Sequence, residues 1–144
     1  MAKYIEAMAT INPQMCKDSN PNIRIELEER NEEPIPHLHV YRDGIRDSKH
    51  CIYVRLDKPE YSTHHSSRHH NTFTKGELAQ FIAIMKAPWN KFFIEDSKGN
   101  FRHPSGYEAA VSTWIDCYGE PVGDLKFTYD NQGNLIMPDY TQLH

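Results

Sequence analysis

The sequence predicts an α+β fold formed by one domain, residues 1–144. We expect an antiparallel four-stranded meander, two helices on one face and a small C-terminal hairpin. Three observations predict this class: apolar residues alternate along the first third, two capping boxes each precede a helical apolar stripe, and turn signals separate these segments. A length of 144 residues with sixteen Tyr, Phe and Trp side chains is enough for one buried core.

Four segments alternate apolar and polar residues with the period of a strand, at 5–11, 23–27, 37–41 and 52–56. Their links are short and rich in turn residues, so an antiparallel meander is the simplest topology. The turn signal Asp43-Gly44 leaves the register open. A tight turn there would extend the fourth strand back to Ile45, whereas a longer connection would start that strand near His50.

Two helices have recognisable starts. Thr74 and Glu77 form one capping box, and Ser105 and Glu108 form a second. Pro88 is expected to end the first helix, and Gly119 to provide a left-handed cap for the second. The inward stripes of the two helices predict these core residues: Phe81, Ile82, Met85, Val111, Trp114 and Ile115.

Two short hairpins are expected in the second half of the chain. The aromatic stretch at 92–94 would pair with Phe101 around the turn at 96–100. Residues 125–129 would pair with 135–137 around a turn at 130–133, which forms the predicted C-terminal hairpin.

Composition excludes several classes of protein. A net charge of −4 argues against a duplex nucleic-acid partner, which usually needs a basic face. No stretch approaches 18 apolar residues, and the N-terminus lacks the apolar segment of a signal peptide, so we expect no membrane span and no secretion. Cys16, Cys51 and Cys117 form no C-x-x-C motif, and their odd number fits a reducing compartment. We therefore predict a cytoplasmic protein.

Seven of the nine histidines lie between positions 37 and 70. His37 and His39, two residues apart, would share one face of a strand. With a third imidazole from the polar stretch at 57–72, they could bind zinc or another divalent ion. The metal ligands predicted here are His37, His39 and His65. The alternative is structural, with both imidazoles bonded to backbone carbonyls or stacked on Tyr41 and Tyr53.

The polar stretch at 57–72 has no strand or helix period and is long enough to be functional. Arginine, histidine and tyrosine side chains in and near it could recognise an anion or a nucleotide. The arginines could equally complement the neighbouring glutamate-rich strand. No catalytic residue is assigned, since no nucleophile has an identifiable base. The predicted binding residues are His37, His39, Tyr41, Arg42, Tyr61, His64, His65, Arg68, His69 and His70.

Residues 33–40 read EPIPHLHV, which resembles the P-P-H-x-H-V strand of a family of small bacterial proteins often encoded beside toxin–antitoxin genes. The resemblance covers residues 22–87 and implies a short sheet followed by a helix. The chain departs from the pattern in Ile35, which separates the two prolines, and in its long histidine loop. The segment from Trp114 to the ending at 137–140 resembles small proteins of gut Firmicutes and their mobile elements. Neither resemblance implies an activity.

From these observations we expect a non-enzymatic binding or regulatory protein of bacterial or phage origin. It would act on a protein or nucleotide partner in a defence, toxin or mobile-element setting. The alternative is a metal-dependent hydrolase or nuclease that uses His37, His39 and a loop histidine. The sequence leaves the oligomeric state open.

Overall fold

The computed structural model describes residues 9–11, 24–27, 35–42, 50–62, 72–89, 93–96 and 98–143. Its class is α+β, as predicted, with two α-helices and antiparallel strands. No helix within these ranges is long and apolar enough to cross a membrane.

The first four strands are neighbours in the order in which they occur in the chain. Strand β1 is Ala9–Ile11, β2 is Arg24–Leu27, β3 is His37–Tyr41 and β4 is Cys51–Arg55. Each successive pair is antiparallel. Tyr41 pairs with Cys51, so residues 42–50 make the connection. This register agrees with the longer of the two predicted connections and not with a tight turn at Asp43-Gly44. The predicted strand residues 5–8 and 23 lie outside the described ranges.

Strand β3 has a neighbour on each side, and all five of its residues are buried. On one face, Val40 lies between Ile25 and Ile52 in the register, and Leu38 lies opposite Val54. These five apolar side chains are at most 1% exposed and belong to the core. The other face of β3 carries His37, His39 and Tyr41, because alternate residues of a strand point to opposite sides.

Both predicted helix starts are confirmed. Helix α1 is Lys75–Lys86, with Thr74 as N-cap and Glu77 completing the capping box. Helix α2 is Gly106–Tyr118, with Ser105 and Glu108 in the same roles. At the end of α2, Gly119 has a φ of +81°, as expected of a glycine cap, but its ψ of 175° is extended and not left-handed helical.

The helices bury a slightly different set of residues from the one predicted. Phe81, Met85, Val111 and Trp114 are buried as expected. Ile82 and Ile115 are only half-buried against the core, which corrects their assignment. In α1, Ile84 is fully buried, because the inward face of the helix is formed by Phe81, Ile84 and Met85, and Ile82 lies at its edge.

Beyond α1, the first of the two predicted hairpins is present with a shifted register. Strand β5, Ile94–Glu95, pairs with β6, Phe101–Arg102, so that Phe101 lies opposite Glu95 and not opposite the predicted 92–94, of which residue 92 is outside the described ranges. The C-terminal hairpin is reduced to one bridge, between Tyr129 and Leu135. A 3-10 turn, Gly123–Leu125, includes Leu125, the first residue of the expected strand. The two prolines at 121 and 138, which cannot donate ladder hydrogen bonds, limit the length of any strand in this segment.

Tyrosine hydroxyls fasten distant segments to the end of β4. Tyr107 donates to the carbonyl of Leu56 at 2.7 Å, and Tyr140 donates to that of Arg55 at 2.6 Å. Burial raises the pKa of both hydroxyls, so they remain donors across the physiological range. The C-terminal segment and α2 are thereby held against the same turn.

Candidate functional site: a buried histidine pair on strand β3

His37 and His39 point to the same side of β3, as their spacing predicts. Their Nε2 atoms lie 3.3 Å apart. The ring centroids are separated by 5.2 Å and the planes differ by 24°. Both residues are buried, with 2% and 5% exposure, so this pair is not part of an outward-facing surface.

The Nδ1 contact of His37 determines which of its nitrogens carries hydrogen, whereas that of His39 allows either role. Nδ1 of His37 lies 2.8 Å from the carbonyl oxygen of Ile35, which can only accept. His37 therefore carries a hydrogen on Nδ1, and its Nε2 presents a lone pair when the ring is neutral. Nδ1 of His39 lies 3.4 Å from the hydroxyl of Tyr41, which can donate or accept.

The contact between the two Nε2 atoms fits a hydrogen bond when His39 carries its hydrogen on Nε2 and donates it to His37. When His39 instead carries its hydrogen on Nδ1, that nitrogen can donate to the Tyr41 hydroxyl, and both neutral rings then have a lone pair on Nε2.

Aromatic rings from two other elements enclose the pair. The ring of Trp114, on α2, lies 5.7 Å from that of His37. Tyr53, on β4, meets His39 edge-on at 4.9 Å and 83°. Because a bulky ring restricts each imidazole, the side chains are held in one relative orientation. The predicted backbone bond and the predicted contacts with Tyr41 and Tyr53 are therefore present.

Arg42 and Tyr61, two of the predicted binding residues, have structural contacts. The Arg42 guanidinium donates to the carboxylate of Glu77 at 2.9 Å and to the carbonyl of Thr72, which ties β3 to the start of α1. The Tyr61 hydroxyl accepts from the N–H of Phe73 and donates to the carbonyl of Leu143. Burial raises the pKa of Tyr61. Neither side chain joins the histidine pair.

The described part of the 57–72 stretch turns straight back onto β4. Arg55 donates to the carboxylate of Asp57 through two hydrogen bonds of 2.9 and 2.6 Å. The N–H of Ser62 donates to the carbonyl of Tyr53, so the chain runs beside the strand again by residue 62. Five of the predicted binding residues lie outside the described ranges: His64, His65, Arg68, His69 and His70. The prediction that His65 is a metal ligand is therefore not tested.

Across the ranges that the structure describes, no group of three His, Cys, Asp or Glu residues is placed to hold a metal ion. The two imidazoles of β3 are thus the candidate ligands that those ranges provide. No family model, curated protein or solved structure matches this chain. The similarity to the P-P-H-x-H-V proteins stays a prediction.

The contact between Trp114 and His37 could not be found from the sequence. The two residues are far apart in the chain, and the helical stripe of Trp114 predicts burial without predicting a partner. Tyr53 and a backbone carbonyl could be anticipated, because strand alternation brings neighbouring residues to the same face.

Proposed function

We propose that the protein binds a divalent transition-metal ion, with zinc as the best match, between Nε2 of His37 and Nε2 of His39. The observation that carries this proposal is the combination of the Nε2 separation of 3.3 Å with the centroid separation of 5.2 Å.

The nitrogen separation agrees with imidazoles that share one ion. Two ligand nitrogens of a tetrahedral ion with bonds of about 2.0–2.1 Å lie about 3.3 Å apart, which is the separation of these two Nε2 atoms. Tetrahedral zinc has Zn–N bonds of about 2.0–2.1 Å. Rings that met head-on at the same nitrogen separation would have centroids farther apart, so these two rings do not meet head-on.

The surroundings of the pair also favour a ligand role. Metal-binding histidines usually donate their second ring N–H to an oxygen, which orients the ring and makes it more basic. The Ile35 carbonyl serves His37 in this way, and the Tyr41 hydroxyl lies within reach of His39. Because both residues belong to a buried strand and touch aromatic rings, the two ligands are oriented before the ion arrives.

We propose that the sheet carrying His37 and His39 is the predicted four-stranded meander, with both helices packed on one of its faces. Two imidazoles leave further coordination positions, and His65 from the histidine-rich loop remains our proposed third ligand. We retain the proposal of a non-enzymatic binding protein that acts on a partner in the cytoplasm. A bacterial or phage defence setting rests on the resemblance alone.

Calorimetric titration of untagged, chelator-treated protein with zinc chloride tests the proposal. We expect His39→Gln to weaken the tightest zinc site by at least about 100-fold, since removing even an orienting group costs 10- to 100-fold. The matched control is His103→Gln, because His103 is a half-buried histidine whose ring packs at 4.3 Å and 34° against Phe93 and not against the pair. Unchanged zinc affinity in His39→Gln would overturn the proposal.

The same samples separate a binding protein from a hydrolase or nuclease. Zinc-loaded protein is incubated with bis-p-nitrophenyl phosphate, and release of nitrophenolate is followed. A binding protein gives no turnover above that of the His39→Gln variant. Turnover that is lost in His39→Gln and kept in His103→Gln would favour the enzyme.

A further inference from the structure

We propose that a second site, formed by the β5–β6 hairpin, helix α2 and the turn at 129–135, binds a lysine or arginine side chain of a partner protein. The cleft has a volume of about 330 Å³ and shares no lining residue with the histidine pair. It is thus a protein-binding site independent of the proposed metal site.

The cleft has an apolar floor. Val111, Ile115 and Leu135 line it, and Val111 is fully buried beneath the surface. The aliphatic stem of a lysine or arginine can lie along such a floor while its charged end stays near water. A bare inorganic cation would make no use of these apolar groups.

The rim is acidic, because four carboxylates and one arginine line the cleft. Arg102 is bound to Glu108 through two bonds of 2.8 and 2.6 Å. Burial acts to raise the pKa of Glu108, but the bonds from Arg102 and the Ser105 N–H outweigh it and lower that pKa. Within the described ranges, the other three carboxylates make no ion pair with a basic side chain: Glu95, Asp96 and Glu120.

Two of these carboxylates are held in place. The backbone N–H groups of Asn100 and Lys98 donate to Asp96 and lower its pKa, so it stays ionised near neutrality. Glu120 accepts a hydrogen bond from the Tyr129 hydroxyl at 3.4 Å. Tyr129 also lines the cleft, and an aromatic ring attracts a cation placed over its face. Four carboxylates against one arginine give the cleft an excess of negative charge, which favours a cationic occupant over a neutral or anionic one.

The experiment uses Nα-acetyl-lysine N-methylamide as the probe, added to metal-free, ¹⁵N-labelled full-length protein. Its Nε-acetylated analogue keeps the stem and removes the charge. Amide shifts of Ser112 and Gly133 report the floor and the rim. We expect the charged probe to bind at least about tenfold more tightly than the analogue, and Glu95→Gln and Glu120→Gln each to weaken it about 2- to 5-fold.

Asp124→Asn is the matched control, because Asp124 is exposed on the 3-10 turn and does not line the cleft. It should leave the affinity for the probe unchanged. Equal binding of the two probes, shifts confined to other regions, or no shift at all would overturn the proposal. Zinc titration of the same variants should be unaffected, so failure here is distinguishable from failure of the metal site.

Discussion

Replacing Gly106 with alanine should force apart the two helices where the start of α2 meets the backbone of α1. Gly106 is the first residue of α2, and its N–H donates to the carbonyl of Ala87 at 2.9 Å. A Cβ at this position would lie 2.4 Å from the carbonyl oxygen of Ile84 and 3.2 Å from the Cα of Met85. Both are backbone atoms of α1, so no side-chain rotation can relieve the overlap.

We expect Gly106→Ala to lower the free energy of unfolding by about 1–3 kcal/mol, the usual cost of overpacking. For a domain of this size that corresponds to a fall in Tm of about 3–12 °C. The assay is urea and thermal unfolding followed by circular dichroism. Gly76→Ala in α1 is the control, because its Cβ would meet nothing within 4 Å and alanine has the higher helix propensity. Equal stability of Gly106→Ala and wild type would refute the close helix crossing.

Three further predictions use the same unfolding assays. Trp114→Ala should cost about 3–5 kcal/mol, because the ring is 1% exposed, and an unchanged midpoint would show that α2 is peripheral. Asp57→Asn should lower the free energy of unfolding by about 1.5–3 kcal/mol, because the fully buried carboxylate loses its two bonds from Arg55. Glu60→Gln should lower it by about 0–1 kcal/mol, because Glu60 is exposed. Similar losses in the two variants would contradict the assigned pairing. Arg102 lowers the folded-state pKa of Glu108 against the effect of burial. The ionised Glu108 carboxylate therefore stabilises the folded state above about pH 4.3, and this stabilisation is lost as the pH falls through the folded pKa. Glu108→Gln should therefore be less stable than wild type at pH 7 and approach it in acid; a constant difference would contradict this.

Local signals predicted most of the secondary structure. A capping box specifies its helix start through two neighbouring residues, so Thr74 and Ser105 were identifiable without tertiary information. The same holds for the strand at 37–41, where apolar and histidine residues alternate. Predictions were weaker where long-range packing decides, as for Ile82 and Ile115, which reach the core only partly.

The candidate site shows the same division. The shared face of His37 and His39 follows from their spacing, but the separation and inclination of their rings depend on Trp114 and Tyr53, which belong to other elements. Arg42 illustrates a prediction that packing redirected: a side chain expected at an anion site instead binds Glu77 and the loop before α1. No local pattern distinguishes an arginine that waits for a ligand from one that joins two elements.

X-ray absorption at the zinc edge tests the metal site most directly. With one equivalent of zinc on wild-type protein, we expect nitrogen scattering at about 2.0–2.1 Å with the outer-shell pattern of imidazole. His39→Gln should reduce the imidazole contribution by one ring, and His103→Gln should leave it unchanged. An imidazole contribution that is the same in wild type and His39→Gln would contradict the proposal that His37 and His39 share the ion.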